Sequence, residues 1–582
     1  MAKIDAGQKN IKQVLTENKN FIIPDYQRPY AWDKEKCETL FNDFLDFTFP
    51  NKDPENFNKD RDEYYLGSIV GFNDSVGSDN SENEIFEVID GQQRLTTILL
   101  LLRAIYTKLN KMNMAGSGIE DVKKNIASCI WETNEDGEYD TNKLKIDTKV
   151  ATDDDKEEFL NILKTGEIPQ NLKSKYAMNY NFFVKKIDEF YEKAGEMFRR
   201  FPQRILSNVI VLLVKANDWD SSLRIFNTLN DRGMPLADSD IFKSKLYAIY
   251  TKNGKQKEFI DDWKELEKIA TDITLTNGVN DFFANYMYYL RAKDGNTNTT
   301  VIALRTFYDK GNRINEQTFE NIKILANFWS EIKDEKGEFS NDVSKKIFIL
   351  KYAPNTMWEY MVSVYFMQNK NENGKLNEIE FIEFLDKLIA FSFAYEIIKS
   401  GVNALRTPFF PEMVKIIKNE KVNFADFKFD EVNFKEVFMA SDFSNSRGIT
   451  RAILTWWLFE NDQNLDDIKN EKLDIEHILA KKLYEDDSSL LINSRNLESL
   501  GNKVLLEKSV NINARDKHFY EKKKWYLGEL GNKKRKTKIT EILKIVSENK
   551  NLQDFTEEMI QNRQKLILDK FMENLRKNNL LQ

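Results

Sequence analysis

The chain has 582 residues, 41% hydrophobic and 12% aromatic, too long for one ordinary domain and too apolar for a disordered protein. With 10 Pro and 22 Gly it is neither collagen-like nor linker-dominated. Its two cysteines, Cys37 and Cys129, form neither a CxxC pair nor a four-thiolate zinc site. The net charge of −8 does not advertise a polyanion partner, the N-terminal MAKIDAGQKN lacks an apolar signal region, and the longest aliphatic runs (98–102 and 209–214) are too short to span a bilayer. A soluble, cytoplasmic protein with no membrane partner is the expectation.

In chain order, residues 21–23 form a brief apolar run stopped by Pro24. PDYQRPYAW (24–32) then sets polar donors between prolines and aromatics. Residues 33–47 carry Leu40, Phe41, Phe44 and Leu45 at helical spacing behind an Asp33 cap. YYLGSIVGF (64–72) predicts a strand, 73–84 a polar surface loop and 85–89 a second strand, together a hairpin with a long tip. Asp90-Gly91 predicts a turn and 92–109 a strongly apolar helix. Residues 110–138 show little pattern, and 143–147 predict a short strand. Helices follow, then a buried strand over 209–214, a helix over 221–229, a turn at 230–233 and a helix over 236–250 capped near Asp238. From 251 to 435 the pattern is helical, aromatic-rich and without recognisable chemistry, as in a scaffold or spacer. Residues 447–460 predict a buried helix, 473–478 a strand, 499–506 a turn into a strand, and 511 onward a polar, basic helix. A strand with His, a strand with Asn and then a helix is the order of a ββα-metal nuclease motif.

Several constellations carry chemistry. Asp90-Gly91-Gln92-Gln93-Arg94 ends a strand, turns and opens a helix, offering free N–H groups, a positive dipole end and the Arg94 fork to a phosphate. Asp90 there suits a metal or a water, although an ordinary strand-turn-helix junction reads the same way. Tyr26, Gln27 and Arg28 lie in the proline-bounded segment, where Arg28 suits a phosphate and Tyr30 or Trp32 a stacked base; those aromatics serve equally to close a core. Asn230 and Arg232 end a helix in a polar turn that Gly233 alone would explain. Phosphodiester hydrolysis needs a base, for which His477 serves, and a cation, for which Glu476 and Asn511 are oxygen ligands suited to Mg2+. Asn502 is placed to fix the His-bearing loop. The only other histidine, His518, either assists or binds phosphate. Residues 503–538 hold twelve Lys or Arg against four acids, a net +8 that leaves −16 for everything else. Lys522, Lys523 and Lys524 within it are the expected DNA track, with a solvated helix face as the bland alternative.

IPDYQRPYAW, YYLGSIV, FEVIDGQQRLTTILLLL and IFNTLNDRGMPLADSDIFKSKL, in that order, resemble the N-terminal half of the GmrSD family of modification-dependent (type IV) restriction endonucleases. DIEHILAKK, NLESLGNKVLLEKSVN and FYEKKKWY resemble its C-terminal half, and related proteins include the phosphorothioate-sensing SspE type. The resemblance implies an α+β, predominantly helical protein. A ParB/sulfiredoxin-like domain binding and hydrolysing nucleoside triphosphate is implied over 1–250, a helical spacer over 251–435 and an HNH nuclease domain over 436–582. It assigns Asp90, Gly91, Gln92, Gln93 and Arg94, with Tyr26, Gln27 and Arg28, to the nucleotide. His477 becomes the base, Asn502 the motif asparagine and Asn511 the third position. Two departures stand out: Leu479-Ala480 replace the proline usual after EHI, and Arg515-Asp516 replace a Ser-Asn pair, which leaves the third position open between Asn511, Asp516 and His518. The implied function is an NTP-regulated endonuclease, dependent on Mg2+ or Mn2+, that cuts modified phage DNA. A nucleotide-switched DNA clamp or an NTPase subunit with an inactive nuclease half are the alternatives. The recognised mark, the preferred nucleotide and whether the chain forms a homo-oligomer are not legible.

Overall fold

The structure is a computed structural model that describes residues 5–17, 19–73, 84–112, 117–134, 136–150, 153–216, 222, 237–333, 339–401, 403–531 and 535–582. Most of the loop expected over 73–84 lies outside them, as do the turn at 230–233 and, residue 222 apart, the helix over 221–229. The chain divides into two units, Met1–Lys264 and Glu265–Gln582. Helices predominate, with short sheets, so the protein is α+β and mostly helical.

In the first unit the described strands are β1 (Asp5–Asn10), β2 (Lys19–Ile23), β3 (Tyr64–Asn73), β4 (Glu84–Asp90), β5 (Trp131–Thr133), β6 (Tyr139–Leu144), β7 (Ile146–Thr148) and β8 (Val209–Ala216). Six form a mixed sheet in the order β1-β8-β3-β4-β2-β7, and β5 pairs with β6. The expected β3–β4 hairpin is present and antiparallel, with a bulge between Val70 and Gly71. The apolar run of β8 lies parallel to β3 and antiparallel to β1, largely buried as such runs require. β2 runs parallel to both β4 and β7 until Pro24, whose missing N–H ends the ladder.

The strand expected over 143–147 divides at Lys145. Its N–H donates to the Ile130 carbonyl at 2.9 Å and its carbonyl accepts from the Phe21 N–H at 2.8 Å, so one residue serves two sheets. Residues 117–130, expected to lack pattern, form a helix (Ser117–Ile130) with Val122, Ile126 and Ile130 buried at helical spacing. Helix Lys34–Thr48 starts as expected, the Asp33 side chain accepting from the Lys36 N–H at 3.0 Å. Helix Asp238–Lys252 does not use the expected cap: Ala237 occupies that position, and Asp238 contributes its charge to the first turn instead. Helix Gln92–Lys111 runs through the core, burying nearly every side chain from Leu95 to Ile105, and packs on helices Ser117–Ile130 and Lys175–Ala194.

The second unit, Glu265–Gln582, takes in most of the 251–435 span expected as a helical spacer together with everything after it. Its hub is helix Glu378–Ile398, apolar nearly all round and therefore buried. It packs against helices Asn341–Leu350, Glu431–Ala440, Gly448–Glu460 and Glu557–Lys577. Aromatic pairs lock the layers: Phe391 stacks on Phe424 at 3.6 Å between centroids, and Phe571 meets Trp456 edge-on at 5.2 Å. Strands β9 (Leu473–His477) and β10 (Lys503–Glu507) pair antiparallel, and helix Lys508–Ala514 follows and packs on both. Among the described residues no helix is long and apolar enough to cross a membrane.

Candidate functional site

The structure brings the two N-terminal motifs together. β4 ends at Asp90, and Gly91 turns the chain with φ +94°, where an added Cβ would lie 3.0 Å from the Ser68 carbonyl. The helix that follows has no side-chain cap and no acid in its first turn, so its leading N–H groups remain a positive end without an internal partner. Arg94 Nη2 donates to Asp90 Oδ2 at 3.1 Å and the Ser68 hydroxyl donates to the same oxygen at 3.5 Å. The guanidinium lies over the Gly67 backbone, in space a Cβ would need. Burial pushes the Asp90 carboxyl above its usual range, and Arg94 pulls against that shift.

The three glutamines expected at the nucleotide do other work. Gln92 Nε2 donates to the Arg28 carbonyl (3.1 Å) and Gln93 Nε2 to the Pro29 carbonyl (3.2 Å). Gln93 Oε1 accepts from the Ala31 N–H (2.7 Å), and Gln27 Nε2 donates to the Ile89 carbonyl (3.1 Å). All three are buried, so they lace the YQR segment to the DGQQR turn. Tyr26 is buried too, packed on Ile89 and the Tyr247 ring. Tyr30 is a core residue, stacked on Tyr176 at 4.9 Å with its hydroxyl 2.8 Å from that of Thr97. The cations at this junction are both partly exposed: Arg94, which is paired with Asp90, and Arg28, whose side chain has no hydrogen bond or ion pair among the described residues.

In the second unit His477 ends β9, and Lys503, which opens β10, lies directly opposite it. The His477 side chain is 14% exposed, with Nε2 3.4 Å from Glu498 Oε2. Glu498 also pairs with Lys503, which has no solvent exposure and donates to the Phe443 carbonyl (2.6 Å) and Asn445 Oδ1 (2.8 Å). The hydrogen bond from His477, with further help from Lys503, pushes the Glu498 carboxyl down to about 2. Sequence reasoning gave Glu498 no role; its signal is a lone acid just ahead of the Gly501-Asn502-Lys503 step.

Asn502 is fully buried and spends its whole amide on backbone. Oδ1 accepts from the Leu479 N–H (2.7 Å), and Nδ2 donates to the Leu479 (3.1 Å) and Leu497 (3.0 Å) carbonyls. It therefore fixes the loop after His477, as expected, and cannot touch a substrate. A proline at 479 would lack the N–H that Asn502 takes, so the departure from EHI-Pro is accommodated here. Gly501 abuts helix Glu557–Lys577 so closely that a Cβ would fall 1.9 Å from the Ile560 carbonyl.

Glu476 is not an open metal ligand. It is buried, and its Oε1 accepts from Lys522 Nζ (2.6 Å) and the Tyr526 hydroxyl (3.0 Å). Burial pushes Glu476 up and Lys522 down from their usual ranges, each opposed by its partner's charge. Asn511 is half-buried on the helix that packs over both strands. Asp516 is exposed, and His518 Nδ1 lies 2.9 Å from Asp554 Oδ1. Among the described residues no three His, Cys, Asp or Glu side chains cluster to hold a metal ion.

The DNA track also needs correction. Lys522 Nζ, besides Glu476, donates to the His477 carbonyl (2.6 Å). Lys523 donates to the carbonyls of Asn549, Lys550 and Leu552 (2.7–2.9 Å), closing the end of helix Thr540–Glu548. Neither ammonium is available to a phosphate; of the three, Lys524 is exposed. Lys503 is likewise internal, while Lys533 and Lys534 lie outside the described residues. The sequence charge of this window therefore overstates its surface charge.

Lys522→Ala, which strands the Glu476 carboxylate, is expected to destabilise the second unit by about 3–5 kcal/mol. Lys524→Ala leaves the urea midpoint within error and reduces the salt dependence of DNA binding. Equal midpoints for both variants would refute the assignment.

Glu498 has a folded value below its ordinary 4.5. Its carboxylate thus stabilises the fold above about pH 4.5, and that increment is lost as pH falls toward about 2. In Glu498→Gln the difference in urea midpoint from the parent should be largest near neutral pH and shrink through that window. A difference that stays constant would show that the carboxylate contributes nothing through its charge.

Comparison with known proteins gives two family matches. Residues 11–247 match the N-terminal domain of GmrSD restriction endonucleases, and residues 429–570 match their C-terminal domain. No curated protein matches the chain significantly. The first match spans both laced motifs, and the second spans the β9–β10 hairpin with its helices. The chain belongs to the GmrSD restriction endonuclease family, a family of DNA-cutting enzymes of phage defence.

Proposed function

We propose that this enzyme is a nucleoside-triphosphate-regulated endonuclease whose second unit cuts modified foreign DNA with His477 as general base. The observation that carries the reading is the placing of His477: a partly exposed imidazole at a strand end, with the loop after it locked by the buried Asn502 amide and a helix bearing Asn511 over both strands. This strand-strand-helix order supports the HNH reading. His477 takes a proton from a water, whose oxygen forms the new bond to phosphorus as the bond to the leaving sugar oxygen breaks; solvent then protonates the leaving oxygen. A divalent cation, when bound, would neutralise charge on the scissile phosphate. Glu476 does not fit it, because its carboxylate is committed inside the fold; Asn511 and Asp516 are the oxygen donors left among the expected positions, so most of the ion's shell would be water and phosphate.

The nucleotide belongs, on this reading, to the first unit. The open N-terminus of helix Gln92–Lys111, Arg94 and Arg28 form a cationic cradle for phosphates, and the buried glutamines hold its two halves in register. A ParB-like role for this domain accords with that cradle.

His477→Ala should lower the cleavage rate by about 10²–10⁴-fold with NTP hydrolysis and DNA affinity retained. Full-rate cutting by that variant would end the assignment. Arg28→Ala and Arg94→Ala should each weaken NTP binding in isothermal titration. Gln93→Ala, by contrast, should lower the melting temperature as well, because it unlaces the loop. Unchanged affinity in both arginine variants would move the nucleotide elsewhere.

A further inference from the structure

We propose that Glu498 is a positioning residue that fixes the tautomer of His477, and that Lys503 holds Glu498 in place to do so. The inference rests on the reading of His477 as the base. Lys503 and His477 are register partners across the β9–β10 pair, so their side chains leave the same face of the hairpin. The Lys503 ammonium has three hydrogens and three acceptors: the Phe443 carbonyl, Asn445 Oδ1 and Glu498 Oε2. With every donor spent and no solvent to compete, the ammonium has one orientation, and the carboxylate it grips is held with it. That same Oε2 lies 3.4 Å from His477 Nε2.

A carboxylate accepts and does not donate. Facing it, Nε2 must carry the hydrogen, which leaves the Nδ1 lone pair to receive a proton from water. The opposite tautomer would set an Nε2 lone pair against a carboxylate oxygen. Once the proton arrives, the imidazolium faces a negative charge already in position, with no reorganisation needed. The ring is steered at one end by Glu498, while Lys522 fixes the His477 carbonyl at the other. Neutralising Lys503 alone would not require the carboxylate to meet the imidazole.

The chain's two histidines make the test direct. Full-length enzyme is prepared with nitrogen-labelled histidine, and His518→Gln identifies which imidazole signal is His477. The unmodified protein should show His477 as the Nε2–H tautomer; an Nδ1–H tautomer overturns the proposal without any Glu498 variant. Cleavage is then followed on phage DNA with glucosylated cytosines and on phosphorothioate DNA, each with Mg2+ and NTP. Glu498→Gln should lower the maximal rate by about 10²-fold or more with KM for DNA unchanged, and its ring signal should lose the single tautomer. Glu498→Asp should recover part of both. Wild-type rate and an unchanged tautomer in Glu498→Gln, while His477→Ala is inactive, overturn the proposal. Wild-type cutting by His477→Ala overturns the underlying reading instead, and the ring signal alone then decides whether Glu498 fixes the tautomer.

Discussion

A lysine ammonium shut away from water must find its counter-charge and its acceptors inside the fold, because burying it unpaired costs more than any nearby packing returns. Lys503 and Lys522 impose that demand at two points around His477. Lys522 is met by Glu476 and the His477 carbonyl, and the Tyr526 hydroxyl joins it on Glu476, which ties helix Phe519–Tyr526 to the end of β9. Lys503 is met by Glu498, Asn445 and the Phe443 carbonyl, which ties the start of β10 to a segment sixty residues earlier. The hairpin is short, and two strands are marginal by themselves. Its geometry is held by these buried charges and by helix Glu557–Lys577, against which Gly501 is pressed.

A third ion pair extends the same frame. Glu541 and Arg563 are both nearly inaccessible, and Arg563 donates to the Leu500 and Gly501 carbonyls (2.6 and 3.0 Å) while Gln564 Oε1 accepts from the Gly501 N–H (2.9 Å). The Leu500 carbonyl and the Gly501 N–H and carbonyl are thus answered by one helix before the Asn502 side chain answers the loop beyond His477. Removing any one partner leaves a buried group unpaired, so the network is expected to fail as a unit.

Much of the secondary structure was legible because its signals are local. Two apolar runs flanking a polar stretch marked the β3–β4 hairpin, an Asp33 cap marked one helix, and an unbroken apolar run marked β8. The site was legible as motifs but not as roles. Charge density along the sequence cannot distinguish Lys524, which faces water, from Lys522 and Lys523, which do not; only the packing of their helix decides. Glu476 looked like a metal ligand because its partner lies 46 residues away. Glu498 was overlooked for the same reason: nothing local says that its carboxylate will meet both a lysine and a histidine. The break at Lys145 is of this kind too, since it takes two sheets to define it.

Both motifs divide their labour in the same way, and the division follows from hydrogen-bond capacity. An amide side chain donates and accepts at once, so it can replace a stretch of backbone pairing between two segments. Gln93 does this between the YQR and DGQQR segments, with one donated hydrogen bond each from Gln27 and Gln92 beside it, and Asn502 does it between the turn before β10 and the loop after β9. Asn502, buried with its oxygen and its nitrogen both engaged, has nothing left for a ligand. Arg28 and Arg94 only donate, and the His477 ring has one nitrogen facing Glu498 and a second still to be satisfied. Those are the groups whose valence the fold does not exhaust. The need for an amide at Gln93 and Asn502 is then a demand of loop geometry, and on the proposed reading the chemistry falls to the arginines and the imidazole beside them.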